Sequence, residues 1–265
     1  MPDNCSPVAM ILAAGKGTRM RPLTNHTPKP LLPVQGKPLL QHHLEKLWLA
    51  GVRKVVVNTS YLADLIATFI ASEEFKTLLT TFSTDNALND EPPLTVVLSY
   101  EGEQPLETAG GIIKALPELI TSSNSPFLVI NGDAWCDLDY QYLVNRAYAL
   151  ANEPALGELI MVNNPNHNPE GDFVLSQSVQ AGDSTQLKNK TEHAENNECS
   201  YTFSGLSILK PGLFEGLDEK AGALGPVLRA SIDGGHLFGC YYDGYWLDVG
   251  TPERLSQLNE YLAGC

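Results

Sequence analysis

The chain has 265 residues, 43% of them hydrophobic, and 17 Lys and Arg against 31 Asp and Glu give it a formal net charge of −14. That length and apolar share supply a sizeable core for one large α/β domain or two small ones. No run approaches the roughly 20 apolar residues of a membrane span, and so acidic a chain excludes nucleic acid as a natural partner. The N-terminal stretch carries no basic segment ahead of its short apolar run, so no signal peptide is expected and the cytoplasm is the expected compartment. Cys5, Cys136, Cys199, Cys240 and Cys265 form no CxxC pair and leave one over under any pairing, so free thiols are expected.

In chain order, residues 8–13 predict a short buried strand. Residues 38–50 predict a helix with Leu40, Leu44 and Leu47 on one side and Gly51 as its stop. A second strand follows at 52–58, a helix at 61–71, a third strand at 94–99, a helix at 108–119 and a fourth strand at 126–130. Strands that are apolar throughout and alternate with helices predict an α/β, Rossmann-like fold, a mostly parallel twisted sheet covered by helices on both faces. The second half is less regular. A strand at 156–162 leads into a polar stretch, 163–200, broken only by Phe173, Val174 and Leu175 and read as an irregular excursion or short hairpin. Then come a strand at 202–209, a helix at 224–232, a strand at 236–242 and a helix at 251–262. No internal repeat or Pro- or Gly-rich linker divides the chain, so a single domain over 1–265 is expected.

In parallel α/β sheets ligands bind beyond the carboxyl ends of the strands. After the first predicted strand comes Gly15-Lys16-Gly17-Thr18-Arg19. Its two glycines let backbone N–H groups approach phosphate oxygens, while Arg19 and Lys29, and more weakly Lys16 and Arg21, supply charge. The loop is not a Walker A sequence and lacks the third glycine of GxGxxG, which argues against a dinucleotide-binding oxidoreductase. Charge is distributed to suit an anion: residues 1–54 carry +6, leaving −20 for the remainder.

The whole run AMILAAGKGTRMRPLTNHTPKPLLPV, residues 9–34, resembles the signature of the sugar-1-phosphate nucleotidyltransferases, a strand followed by GxGxRxxPLT and PK. Pro105-Leu106-Glu107-Thr108-Ala109-Gly110-Gly111 is similar to that family's second base-binding segment, and Asn131-Gly132-Asp133 to its metal-binding turn. Trp246-Leu247-Asp248-Val249-Gly250-Thr251-Pro252 is similar to the closing segment with the second metal-binding aspartate. Together with Gly171-Asp172-Phe173 and Thr202-Phe203-Ser204-Gly205, the pattern most resembles the branch that uridylylates N-acetylmuramate 1-phosphate in Gram-negative cell-wall recycling.

The resemblance implies a nucleotide-diphospho-sugar transferase fold, with a nucleotide-binding half over about 1–150 and an irregular sugar-binding half over about 151–265. Its substrates would be UTP and a sugar 1-phosphate, its cofactor Mg²⁺. The implied nucleotide-binding residues are Leu12, Ala13, Ala14, Gly15, Gly17, Thr18, Arg19, Lys29, Glu101, Thr108 and Asn131. Arg19, Lys29 and Asp133 would be catalytic, Asp133 and Asp248 would hold the metal, and Gly171, Asp172, Ser204 and Gly205 would face the sugar.

The chemistry suits these residue types. A sugar-phosphate oxygen is already an anion at neutral pH and needs no general base; the task is to bring two anions together and neutralise shifting charge. Hard carboxylate oxygens suit Mg²⁺, which is commonly held by one or two carboxylates plus substrate phosphates. Gln104 is an extra residue relative to the family pattern, so either Glu101 or Glu103 is a candidate for reading the base, and a glutamate serves guanine as well as uracil. Many family members grip the sugar phosphate with an EKP lysine. None occurs here, and Lys188, Lys190 and Lys210 lie in no matching motif. The histidines (His26, His42, His43, His167, His193 and His236) show no metal-ligand spacing and are read as structural or surface residues. A catalytically silent nucleotide-sugar sensor is the alternative of another class.

Overall fold

A computed structural model describes residues 6–77, 79, 93–176, 179–190 and 198–264. The first part runs β1 (Ala9–Leu12), β2 (Pro33–Val34), β3 (Lys37–Pro38), α1 (Leu39–Leu49), β4 (Lys54–Thr59), α2 (Ala63–Ala71), β5 (Thr95–Tyr100), α3 (Glu107–Leu119) and β6 (Phe127–Asn131). It continues through β7 (Ala134–Cys136), α4 (Tyr140–Leu150), β8 (Gly157–Val162), β9 (Phe173–Ser176), β10 (Ser184–Gln186) and β11 (Glu198–Leu209). The last elements are α5 (Leu224–Asp233), β12 (Leu237–Tyr241), β13 (Trp246–Asp248) and α6 (Pro252–Ala263). Among the described residues no helix is long and apolar enough to cross a membrane, and Cys136, Cys199 and Cys240 are free thiols.

The main sheet has the order β10-β12-β8-β11-β6-β1-β4-β5, with β9 paired to β11. Strands β12, β8, β6, β1, β4 and β5 run one way and β10 and β11 the other, so the sheet is mixed and mostly parallel. Its central strands β1, β4, β6 and β8 are buried on both faces, as their unbroken apolar runs predict, whereas the edge strands β5 and β10 are half-buried to exposed. Alternate residues serve alternate cores: Ala9, Ile11, Val55, Val57, Leu128 and Ile130 pack with α1 and α4, while Met10, Val56 and Val129 pack with α3 and α5. A third cluster joins Met20, Leu32, Val34 and Leu39 to Trp135, Leu247, Leu255 and Leu258. It ties the first loop to the C-terminal helix.

The structure adds elements that the apolar patterns do not mark. β2 and β3 form a minimal hairpin whose turn residues, Gln35 and Gly36, both have positive φ. β7 and β13, three residues each, pair antiparallel below the cleft described next. Both are too short to show a period. The polar excursion is pinned at two places: β9 pairs with β11, and β10 pairs with β12. Residues 177–178 and 191–197 of that stretch lie outside the described residues.

Strand β11 is the long antiparallel insert between β6 and β8, and its register slips between Phe203 and Ser207. Gly205 sits in that irregularity at φ +85°, where a Cβ would lie 2.5 Å from Asn131 Nδ2. The backbone there is both left-handed and pressed on the end of β6. Gly205→Ala should therefore lower the unfolding free energy by about 1–3 kcal/mol through overpacking, read from denaturant midpoints. An unchanged midpoint would mean that Asn131 is free to move aside.

His43, on α1, is 2% exposed and shares a 2.9 Å hydrogen bond between its Nδ1 and the Tyr140 hydroxyl. Burial, reinforced by Lys46 and His42, pushes its pKa down to about 3, so it stays neutral in the fold. An unfolded histidine takes up its proton near 6.5. The contribution is intact above that pH and erodes as pH falls toward 3, by at most about 1.4 kcal/mol per unit. His43→Asn should flatten this part of the stability profile between pH 6.5 and 4; parallel profiles for the two proteins would contradict it.

Candidate active site

The register of β1 builds the site. Leu12, its last residue, is level with Asn58 at the end of β4 and with Asn131 at the end of β6. Beyond that edge opens a cleft of about 470 Å³. Leu12, Ala13, Ala14, Gly15, Gly17, Thr18, Arg19, Lys29, Glu101, Thr108, Asn131 and Asp133 all line it, with Pro30, Asn58, Pro105, Glu107, Gly132 and Gly250 as further wall. The residues implied to hold the nucleotide thus converge on one space. The first loop follows β1 directly, and Thr24 holds it from behind by donating its hydroxyl to the Gly17 carbonyl (2.7 Å).

At one end of the cleft a buried polar relay fixes the backbone. Ala13 N–H donates to Asn58 Oδ1 (2.7 Å), Asn58 Nδ2 donates to Glu101 Oε1 (2.6 Å), and Leu106 N–H donates to Glu101 Oε2 (2.8 Å). Glu101 is 6% exposed, and these bonds offset the cost of burying its carboxylate. Space for it comes from Gly111 on α3, where a Cβ would fall 2.2 Å from Glu101 Oε1. Of the two candidate glutamates it is Glu101 that enters the cleft wall, while Glu103 is exposed.

At the other end the cleft is lined by Asp133, with Asp248 on the neighbouring strand. Asp133 follows β6 and Asp248 ends β13; Asp248 is in register with Ala134, and Val249 N–H donates to the Asp133 carbonyl (2.7 Å). The aspartates therefore occupy neighbouring strand ends. Each already faces a cation: Lys29 Nζ lies 2.5 Å from Asp133 Oδ2, and Arg254 Nη1 is bonded to Asp248 Oδ1. His167 Nε2 lies 3.1 Å from the same Asp248 oxygen and 3.0 Å from Arg254 Nη1. Its pKa is lowered, first by burial and then by Arg254 and Arg19, so the imidazole is kept neutral. Arg19 is exposed at the cleft, near enough for its charge to act on both Arg254 and His167.

Among the described residues no group of three or more His, Cys, Asp and Glu side chains is placed to hold a metal ion. By donor chemistry, Asp133 and Asp248 are hard carboxylate oxygens of the kind Mg²⁺ takes when substrate phosphates complete its shell.

The four residues implied for the sugar lie apart from the cleft lining. Asp172 accepts from Phe203 N–H (2.8 Å) and from Asn168 Nδ2 (3.2 Å), so its carboxylate fastens the excursion to β11. Ser204 Oγ, 1% exposed, accepts from Leu206 N–H (3.2 Å), and the Ser204 carbonyl accepts from Trp246 Nε1 (2.8 Å). Gly205 forms the irregularity against Asn131, and the Gly171 carbonyl accepts from Lys190 Nζ (2.7 Å). These bonds tie β11 to the excursion before it and to Trp246. Lys188 sits in a β-bridge with Val174, and Lys210 Nζ donates to the Glu153 carbonyl (2.6 Å).

Sequence reasoning missed Asn58 and Arg254, read His167 as structural or surface, and did not single out Glu107 within the Pro105–Gly111 segment. Asn58 ends a predicted strand, so the same rule that selects strand ends would have found it. Arg254 and His167 come from segments 87 residues apart, and no local pattern joins them.

The chain matches the nucleotidyl transferase family over residues 8–264. It is 40% identical to an N-acetylmuramate alpha-1-phosphate uridylyltransferase of Neisseria meningitidis serogroup B, across 97% of this chain and 98% of that one. A protein of the same name from Caulobacter vibrioides is 32% identical, across 93% of each chain. Among solved structures, a UTP-bound UGPase from Acinetobacter baumannii superposes with a TM-score of 0.75 at 18% identity, covering 97% of this chain and 93% of that one, a likeness of fold. With its whole sheet, its first loop and its two strand-end aspartates inside that match, the chain belongs to the nucleotidyl transferase family.

Proposed function

We propose that this chain transfers the uridylyl group of UTP to N-acetylmuramate 1-phosphate, giving UDP-N-acetylmuramate and pyrophosphate, with Mg²⁺ as cofactor, in the cytoplasmic recycling of cell-wall sugar. The observation that carries the reaction type is the convergence of Arg19, Lys29 and Asp133 on one cleft whose far end is the Asn58–Glu101 relay. The choice of acceptor and base rests on the 40% identity to the Neisseria enzyme across nearly the full length of both chains.

In this reading residues 1–150 hold the nucleotide. The backbone of 12–15 and the Glu101 carboxylate meet the base edge, and Arg19 and Lys29 take the triphosphate. The acceptor comes from the side of residues 151–265, and one of its phosphate oxygens bonds to the α-phosphorus as the bond to the departing pyrophosphate breaks. No side chain has to remove a proton. Mg²⁺ held by Asp133 and Asp248 would neutralise charge on the transferring group. The rest is positioning: Lys29, 11% exposed and paired with Asp133, is fixed where the α-phosphate must pass.

Pyrophosphate release measured over a panel of pairs tests the substrate assignment. UTP with N-acetylmuramate 1-phosphate should exceed GTP with mannose 1-phosphate and dTTP with glucose 1-phosphate by about tenfold or more in kcat/KM, about the 1.4 kcal/mol that one good contact supplies. Chelation of divalent cations should abolish it. Equal rates for the pairs would overturn the acceptor and base, and no turnover with any pair would favour a silent sensor. Separately, Asp133→Asn and Lys29→Met should each lower kcat by about 10²-fold or more, the usual cost of one preorganised charge. Unchanged turnover would remove both residues from the chemistry.

A further inference from the structure

Two phosphorylated substrates need more cations than the triphosphate alone. In the proposed reaction Arg19 and Lys29 are spent on UTP, and two lysines of the acceptor half are committed elsewhere: Lys190 Nζ donates to the carbonyls of Glu170 and Gly171 (3.4 and 2.7 Å), and Lys210 Nζ donates to that of Glu153 (2.6 Å). Arg254 is differently placed. It stands in the first turn of α6, whose start is fixed by Thr251 Oγ1 accepting from the Arg254 N–H (3.4 Å), and its side chain is 14% exposed. The guanidinium lies across Gly250, a residue of the cleft wall, where a Cβ would fall 2.5 Å from Nη2. The cleft wall has been kept bare for it.

Its partner is Asp248 Oδ1, the oxygen that His167 Nε2 also approaches, at 3.1 Å. Both groups already engage Oδ1, so a divalent cation taken up by this carboxylate competes with the guanidinium for that oxygen and repels its charge. Arg254 stands near enough to Arg19 and Asp133 to feel their charges. A planar guanidinium offers two parallel N–H donors, the geometry that grips a phosphate bidentately.

We infer that Arg254 is the acceptor-phosphate residue: Asp248 holds it in reserve in the empty cleft and exchanges it for the divalent cation, and the released guanidinium takes the phosphate of the sugar 1-phosphate. The inference rests on the proposed transferase reading and supplies the cation that a missing EKP lysine would have given. It makes metal entry and acceptor binding support each other, since each removes an obstacle to the other.

Arg254→Gln, Arg254→Lys and Gly250→Ala test it, the last leaving the arginine in the chain while filling the space its guanidinium occupies. Three quantities are read: KM for UTP and for N-acetylmuramate 1-phosphate, the calorimetric affinity of the Mn²⁺-loaded chain for N-acetylmuramate 1-phosphate, and Mn²⁺ affinity of the nucleotide-free chain by electron paramagnetic resonance. Arg254→Gln should raise the acceptor KM about tenfold or more, with that for UTP within about twofold, as loss of one charged phosphate contact predicts. It should also weaken acceptor binding in the calorimeter and tighten Mn²⁺ binding, because Asp248 no longer carries an internal cation. Arg254→Lys should fall between, keeping charge without the fork, and Gly250→Ala should move the acceptor readouts in the same direction. A rise confined to the UTP KM overturns the inference, and so does an unchanged or weakened Mn²⁺ affinity. Should Arg254→Gln not fold, the other two variants decide. A wild-type chain that turns over no sugar phosphate defeats the transferase reading, and calorimetry and Mn²⁺ binding then decide the exchange on their own.

Discussion

Strand β1 sits between β4 and β6 with all of its four residues paired on both sides, and every distance at the cleft follows from that double register. It brings Leu12, Asn58 and Asn131 to one edge, so the loop after β1, the relay beyond β4 and the aspartate after β6 open into the same space. The pairing is held by apolar residues on both faces. A slip by one residue would exchange Ala9 and Ile11 for Met10 between two differently shaped cores and carry the loop with it. The chemistry is thus positioned by the packing of residues that never touch a ligand.

Charge is the second constraint. Two phosphate groups must meet in a protein of net charge −14. At about 8 Å of screening length the distant acids count for little, whereas a unit charge pair about 4 Å apart near a protein surface is worth about 4 kcal/mol. Local arrangement therefore decides, and the arrangement is one of stored pairs: Lys29 with Asp133 and Arg254 with Asp248. Pairing keeps the carboxylates from repelling an incoming polyanion and keeps the cations from collapsing elsewhere on an acidic surface. Asp133 and Asp248 are 35% and 23% exposed against 11% and 14% for Lys29 and Arg254, so in each pair the carboxylate is the more hydrated member.

The part of the sheet beyond β6 is built on another principle. There the sheet is interrupted rather than regular: β11 runs antiparallel, slips at Gly205 and is strapped to the polar excursion by Asp172, Asn164 and Asn168. Side-chain bonds supplement the β9–β11 ladder there. The residues implied to contact sugar take part in this strapping: Asp172 accepts from the Phe203 N–H, and the Ser204 carbonyl accepts from the Trp246 indole N–H.

What the sequence determined by itself was everything that depends on neighbours along the chain. Unbroken apolar runs gave buried strands, helical spacing gave α1, the strand-end rule led to Gly15 and Arg19, and the family resemblance led to Asp133, all three of which line the cleft. Only the tertiary structure decided the rest. Asn58 and Glu101 meet across 43 residues, and Arg254 and His167 across 87; β7 and β13 are too short to show a period, and the direction of β11 is set by its partners. The physical reason is common to all of these. Periodicity records which face of an element is buried, but it carries no information about which distant polar group will fill a particular hydrogen bond, and the polar contacts of this cleft are mostly between groups of that kind.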